Sequence, residues 1–172
     1  MTSGVRMDQD ADSAVAALYR LHYRFLVGLA ALLVLDFASA ETVVQDSFVA
    51  MHSAWRRLED GDRALSYLHQ AVVSRSRSVR RRRPVMGTSL PGIGSGATTE
   101  LERSALVSAL WSLAPRQREV LVLRYYADLP EAQVASVMGI SQGAVSSQAA
   151  RAMSLLHAEL AGPPDEALRG KL

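Results

Sequence analysis

Cysteine is absent from this 172-residue chain. Disulfides, thiolate zinc sites and cysteine nucleophiles are thereby excluded, and the absence fits a reducing cytoplasm. Aromatic residues make up only 6%, and the runs of Val, Ile, Thr and aromatics that mark strands are scarce. Ala, Leu, Arg, Gln and Glu take their place, a composition that favours helix throughout. No apolar run reaches the roughly 20 residues of a membrane span. The longest, Phe25 to Leu35, has eleven residues. Asp8, Asp10 and Asp12 precede it, where a secretory signal would carry basic residues. It reads as a buried helix, and no membrane insertion is expected. Hydrophobic residues at 49% suffice for a core, and the length suits one ordinary domain or two small ones.

One sign of charge is missing locally. Residues 74–83 hold six Arg and no acid, whereas residues 1–73 sum to −3, residues 84–104 to −1, and residues 105–161 and the tail to zero. All of the excess positive charge therefore lies in ten residues. Eighteen of the nineteen basic residues are Arg, a bias that genome composition alone can produce. A basic cluster can be a solvated face, a targeting signal or a nucleic-acid contact. Here it continues a helix with a clear apolar face, so the guanidinium groups stand on an ordered element. Six cations without nearby acids repel one another, which favours an anionic partner such as phosphate.

The hydrophobic pattern divides the chain. Residues 1–12 are polar and expected to be disordered. Helical spacing runs from Ser13 to about Leu35, through Leu18, Leu21, Phe25, Leu29 and Leu32. A second helix, about Ala40 to Arg57, lines up Val43, Val44, Phe48, Met51 and Trp55. Asp60-Gly61 marks a loop, and a third helix follows to about Arg82. Residues 84–99 contain two Pro and four Gly and read as a tether, spanning on the order of 20–25 Å as a flexible coil. The second unit, residues 100–161, comprises a helix to about Leu113, the buried helix PRQREVLVLRYY, a short helix opened by Pro130, and a long helix capped by Ser141. Residues 162–172 form a tail. The expected fold is all-α: two small helical domains, 13–83 and 100–161, on a flexible linker.

Ala135, Gly139 and Val145 have the spacing of a helix-turn-helix. A small residue lets two helices approach, Gly139 supplies a positive φ at the turn, and Val145 packs back. An ordinary helical hairpin shares part of this pattern. The second helix buries Val145, Ala149, Ala152 and Leu156. Ser141 and Gln142 at its start, then Ser146, Ser147, Ala150 and Arg151, lie on or near the side that meets base edges in such motifs.

Two stretches together resemble a known family. AETVVQDSFVAMHSAW and GDRALSYLHQAVVSRSRSVRRRR resemble the second region of bacterial sigma factors. LWSLAPRQREVLVLRYYADLPEAQVASVMGISQGAVSSQAARAMSLL resembles their fourth. With only these two regions and a short linker, the chain is similar to extracytoplasmic-function sigma factors, in particular an actinobacterial subgroup. The resemblance implies a cytoplasmic protein that binds core RNA polymerase and directs it to the −10 and −35 elements of promoter DNA, under control of an anti-sigma factor. It implies polymerase contacts from Val43, Val44, Gln45, Asp46 and Phe48. The −10 element would meet Arg63, Tyr67, Ser74, Arg75, Arg77, Arg80, Arg81, Arg82 and Arg83. The −35 element would meet Ser141, Gln142, Ser146, Ser147, Ala150 and Arg151. Departures from the family pattern fall at Ser39, Thr42, Ser74, Ser146 and Gln148. A second reading is a sigma-like protein with weakened DNA contacts that acts through protein partners, and a third is a simple DNA-binding regulator. No phosphate loop, metal cluster or nucleophile motif suggests an enzyme, a cofactor or a small-molecule substrate; His22, His52, His69 and His157 lack metal-like grouping. With no excess positive charge in the second unit, very weak −35 binding by residues 100–172 alone is expected.

Overall fold

The computed structural model describes residues 3–58, 61–82 and 100–162. Within them are seven α-helices and no strand. The linker 84–99, Arg83 and the tail from residue 163 lie outside the described residues.

The first module is a three-helix bundle of α1 (Ser3–Val34), α2 (Phe37–Leu58) and α3 (Gly61–Arg82). Leu26, Leu29 and Leu33 of α1 are fully buried among Val44 and Met51 of α2 and Leu68 and Val72 of α3. From Ala11 to Val34, α1 is long and apolar enough to cross a membrane by length and composition. Its C-terminal part, from Leu26 to Val34, is nearly all buried in this core, while Leu21 is exposed. Helix α1 ends at Leu35, which adopts φ 62° while its side chain stays 4% exposed. Burial of an isobutyl group offsets the roughly 1–2 kcal/mol cost of a left-handed residue. Asp36 then starts α2: its carboxylate accepts from the Ser39 amide at 2.9 Å and from the Ser39 hydroxyl.

Helix α1 begins at Ser3, well before the Ser13 start expected from periodicity. Polarity frays a helix end only where nothing ties it down. Here Ala11 is buried, and the Asp12 carboxylate meets Nε2 of His52 on α2 at 2.7 Å.

The second module contains α4 (Glu100–Ser112), α5 (Pro115–Leu121), α6 (Glu131–Met138) and α7 (Gln142–Ala161). Helix α5 continues as a π-helical turn, Val122–Tyr126. The amide of Ala127 bonds the Val122 carbonyl at 3.0 Å across that wider turn. Arg118, 5% exposed, closes α4. Its guanidinium donates to the carbonyls of Leu110, Trp111 and Leu113 at 2.9 to 3.2 Å. Those carbonyls end a helix and have no intrahelical donor. Desolvation lowers the Arg118 pKa to about 10, with the Arg80 charge adding and Glu119 opposing.

The two modules are packed, not merely tethered. One continuous core joins Leu26, Leu33 and Val72 of the first to Val120, Leu123 and Val134 of the second. Tyr126 stacks on Phe25 of α1, with ring centroids 5.1 Å apart and planes within 13°. Its hydroxyl donates to the Phe25 carbonyl at 3.4 Å. Gly28 makes room for it, since a Cβ there would stand 2.0 Å from the Tyr126 oxygen. Burial raises the pKa of that phenol.

Candidate nucleic-acid interface

Helices α6 and α7 form the expected helix-turn-helix. Gly139 takes φ 67°, and the Ile140 amide returns to the Ala135 carbonyl at 3.1 Å, ending α6. The Ser141 hydroxyl accepts from the Ala144 amide at 3.1 Å, capping α7. Arg116 of α5 donates to the Met138 carbonyl at 3.3 Å and braces the turn. Val145, Ala149 and Ala152 are buried, which fixes the rotation of α7. Gln142, Ser146, Ser147, Ala150 and Arg151 are exposed, as the apolar spacing predicts.

Ser146 already has a partner. Its hydroxyl donates to the Glu131 carboxylate at 2.9 Å, and the same oxygen takes Arg124 at 2.8 Å. Arg124 in turn lies 5.8 Å from the Tyr125 ring centroid. Sequence reasoning passed over Arg124 and Glu131. They are joined across the π-helical turn and a loop, so no helical spacing links them.

The arginine helix is arranged differently. Arg75 and Arg77 are partly buried, while Arg81 and Arg82 are exposed. Arg77 holds the Glu119 carboxylate through Nε and Nη2, the shortest contact being 2.8 Å. Arg80 reaches the other Glu119 oxygen at 2.6 Å and also donates to the Leu33 carbonyl at 3.2 Å. Glu119 is 1% exposed. Its burial favours the neutral acid, but hydrogen bonds and charge from Arg77 and Arg80 outweigh that and hold its pKa below the usual carboxylate range. The cluster expected to stand apart from acids thus has one, supplied by the second module. Tyr67, Ser74, Arg75 and Arg77 also line a cleft of about 380 Å³ whose opposite wall is Ser136 to Gly139 of the helix-turn-helix. Arg63 is exposed at the start of α3.

Helix α2 corrects the polymerase-contact set. Val43, Val44 and Phe48 are 2%, 0% and 4% exposed and belong to the core. Their apolar side chains fill the bundle because the α2 stripe faces α1 and α3. Gln45 and Asp46 are exposed, and Val49, 67% exposed, shares their face.

His69 is a buried histidine. It is 5% exposed, its Nε2 has no hydrogen-bond partner, and its ring meets Phe25 edge-on at 6.4 Å. Desolvation, helped by His22, lowers its pKa to about 4. Among the described residues no group of three or more His, Cys, Asp or Glu could hold a metal ion.

A helical bundle, an arginine-rich helix and a helix-turn-helix in one chain define a two-module DNA-binding architecture. Residues 18–84 match the Sigma-70 region 2 family and residues 103–156 match Sigma-70, region 4. The RNA polymerase sigma-E factor of Streptomyces coelicolor is 30% identical over 133 residues, covering 74% of this chain and 75% of that protein. The ECF RNA polymerase sigma factor SigL of Mycobacterium tuberculosis is 32% identical over 160 residues, covering 84% and 89%. The structure of CnrH in complex with the cytosolic domain of CnrY aligns with a TM-score of 0.67 at 25% identity, covering 90% of this chain and 96% of that one. The sigma factor RpoE of Bartonella quintana, in its complex with the anti-sigma factor NepR, shares the fold at a TM-score of 0.68 and 21% identity, over 92% and 99% of the two chains. The chain belongs to the extracytoplasmic-function sigma factors, the subunits that bind core RNA polymerase and direct it to promoters.

Proposed function

We propose a division of labour among three helix faces of this sigma factor. The outward face of α2, with Gln45, Asp46 and Val49, docks on core polymerase. Helix α3 takes the −10 element: Arg63, Tyr67 and Ser74 hold an unstacked base, while Arg75, Arg77 and Arg80 to Arg83 follow the phosphates. Helix α7 takes the −35 element through Ser141, Gln142, Ser146, Ser147, Ala150 and Arg151. The observation that carries this reading is the α7 surface, whose three apolar anchors turn a polar, exposed face outward. Hydroxyl and amide groups there suit base edges, and phosphate contacts position the protein while base contacts specify. The protein acts in the cytoplasm, is not an enzyme, and has an anti-sigma partner, as the CnrH and RpoE complexes suggest.

Run-off transcription with purified core polymerase on genomic promoter fragments tests this. Promoter-dependent transcripts that vanish with Ser146, Ser147 and Arg151 changed to Ala are expected. A second reading is favoured by one specific observation, the engagement of Ser146 by Glu131 and of Arg77 and Arg80 by Glu119. It makes the chain a partner-binding protein with weakened DNA contacts. Core binding with no promoter-dependent transcript on any fragment would establish that reading and sink the first.

A further inference from the structure

The face of α3 assigned to DNA is the face against which the second module packs. A carboxylate from α5 sits in the fork of two arginines at 2.6 to 3.1 Å, the distance range of an Arg–phosphate contact. Glu119 presents both oxygens: Oε2 accepts from Arg77, and Oε1 accepts from Arg80 and from Nε of Arg77. Phosphodiester and carboxylate groups offer the same anionic pair of acceptors. One further contact holds the modules at this spacing, Tyr126 seated against Phe25 and Gly28, while within the first module the Leu33 carbonyl of α1 fixes the Arg80 guanidinium.

We propose that Glu119 is an intramolecular phosphate mimic: in the free chain it occupies a backbone-phosphate site on Arg77 and Arg80, so that DNA binding by α3 requires the two modules to separate. The DNA half of this statement rests on the proposed role of α3; the clasp itself does not. Burial makes the competition unequal. Leaving the clasp returns Glu119 to water and leaves two guanidinium groups, Arg77 and Arg80, for DNA phosphates to pair. Polymerase that holds the modules apart would remove this cost, which couples DNA affinity to the docked state.

The absence of native cysteine makes the test direct. Ser53 and Ser154 are exposed and lie on different modules. The full chain carrying Ser53→Cys and Ser154→Cys is labelled for energy transfer and compared with the same chain carrying Glu119→Gln or Gly28→Val. The first change removes the charge and keeps the shape. The second leaves every charge and drives a side chain into Tyr126. Both are expected to lower transfer while leaving helix content unchanged. Both are also expected to raise the affinity of the free chain for a duplex DNA roughly tenfold, the scale of one or two charge-assisted hydrogen bonds. Its salt slope should steepen by about 2 for two recovered phosphate contacts. Unchanged transfer in both variants would overturn the clasp. Lower transfer with unchanged affinity would overturn the competition. Adding Arg77→Ala and Arg80→Ala to the Gly28→Val chain then separates the causes. Loss of the gained affinity shows that α3 binds DNA and that Glu119 masked it; no loss means that the assignment of α3 to DNA fails while the clasp stands.

Discussion

Helices α3 and α7 are both assigned to DNA, yet they invert each other. Helix α3 has five arginines between residues 75 and 82 and gives two of them to Glu119. Helix α7 has one, Arg151, and its outward face is exposed. The strongly charged surface is covered in part, at Arg77 and Arg80, and the nearly neutral one is open. Charge on an open helix would draw in any nucleic acid, because phosphate attraction is independent of sequence. A surface that reads by hydroxyl and amide groups has little such attraction and can stay uncovered. In the proposed assignment attraction and readout lie on different modules, and only the attraction is partly covered.

The widest gap between the two helices is expected in salt dependence. Changing Arg75, Arg81 and Arg82 to Ala should flatten the salt slope of promoter binding by the polymerase-bound protein by about 2.7 for three phosphates, against about 0.9 for Arg151→Ala. Filter binding over a salt series measures both. Equal slopes would erase the distinction. A second contrast is acid sensitivity, which belongs to α3 through His69. Its folded pKa of about 4 lies below its ordinary 6.5. Between those values the unfolded chain binds a proton that the folded chain refuses. Stability from this group is therefore complete above pH 6.5 and falls as pH drops, by about 2–3 kcal/mol at pH 4.5. Urea unfolding of wild type and His69→Leu should show this loss only in the wild type, once the pH response common to both is subtracted.

On the α7 side the effects are smaller. Gly139→Ala forces a side chain into φ 67° and should cost about 1 kcal/mol, read as a lower melting temperature, with the open face of α7 otherwise intact. Smallest in stability is Glu131→Ala. Its pair with Arg124 is about one-third exposed on both sides, so at most about 1 kcal/mol is at stake. The change frees the Ser146 hydroxyl hydrogen, however. In the wild type that hydrogen is spent on Glu131, so Ser146 offers the groove an acceptor. Selection of −35 sequences by the variant should relax at the base facing Ser146; an unaltered preference would mean that Ser146 does not reach a base.

Local chemistry was legible from the chain. The Gly139 turn, the Ser141 cap, and the burial of Val145, Ala149 and Ala152 all follow from spacing and from residues with one dominant use. What crosses between modules was not. Glu119 and Arg77 lie 42 residues apart, and nothing in SRSRSVRRRR or PRQREVL says that they meet. Val43, Val44 and Phe48 belong both to the apolar stripe of α2 and to the set implied by resemblance, and the structure buries them as the stripe requires. The π-helical turn was invisible because VLVLRYY is apolar around most of its circumference, which leaves no period to read. One signal was available. Gly28 interrupts the apolar run of α1, where glycine costs roughly 1 kcal/mol relative to Ala, and such a residue marks a close approach, here that of Tyr126.

Arg118 sets an order of events during synthesis. Helix α4 leaves the ribosome before the side chain that closes it, and the carbonyls of Leu110, Trp111 and Leu113 wait for a guanidinium from further along. The second module therefore matures backwards, with α4 completed only after α5 has formed. We expect released chains truncated before Arg118 to be cut by protease within α4, and the full chain to resist, so that the quality of this module is decided at its end and not at its beginning.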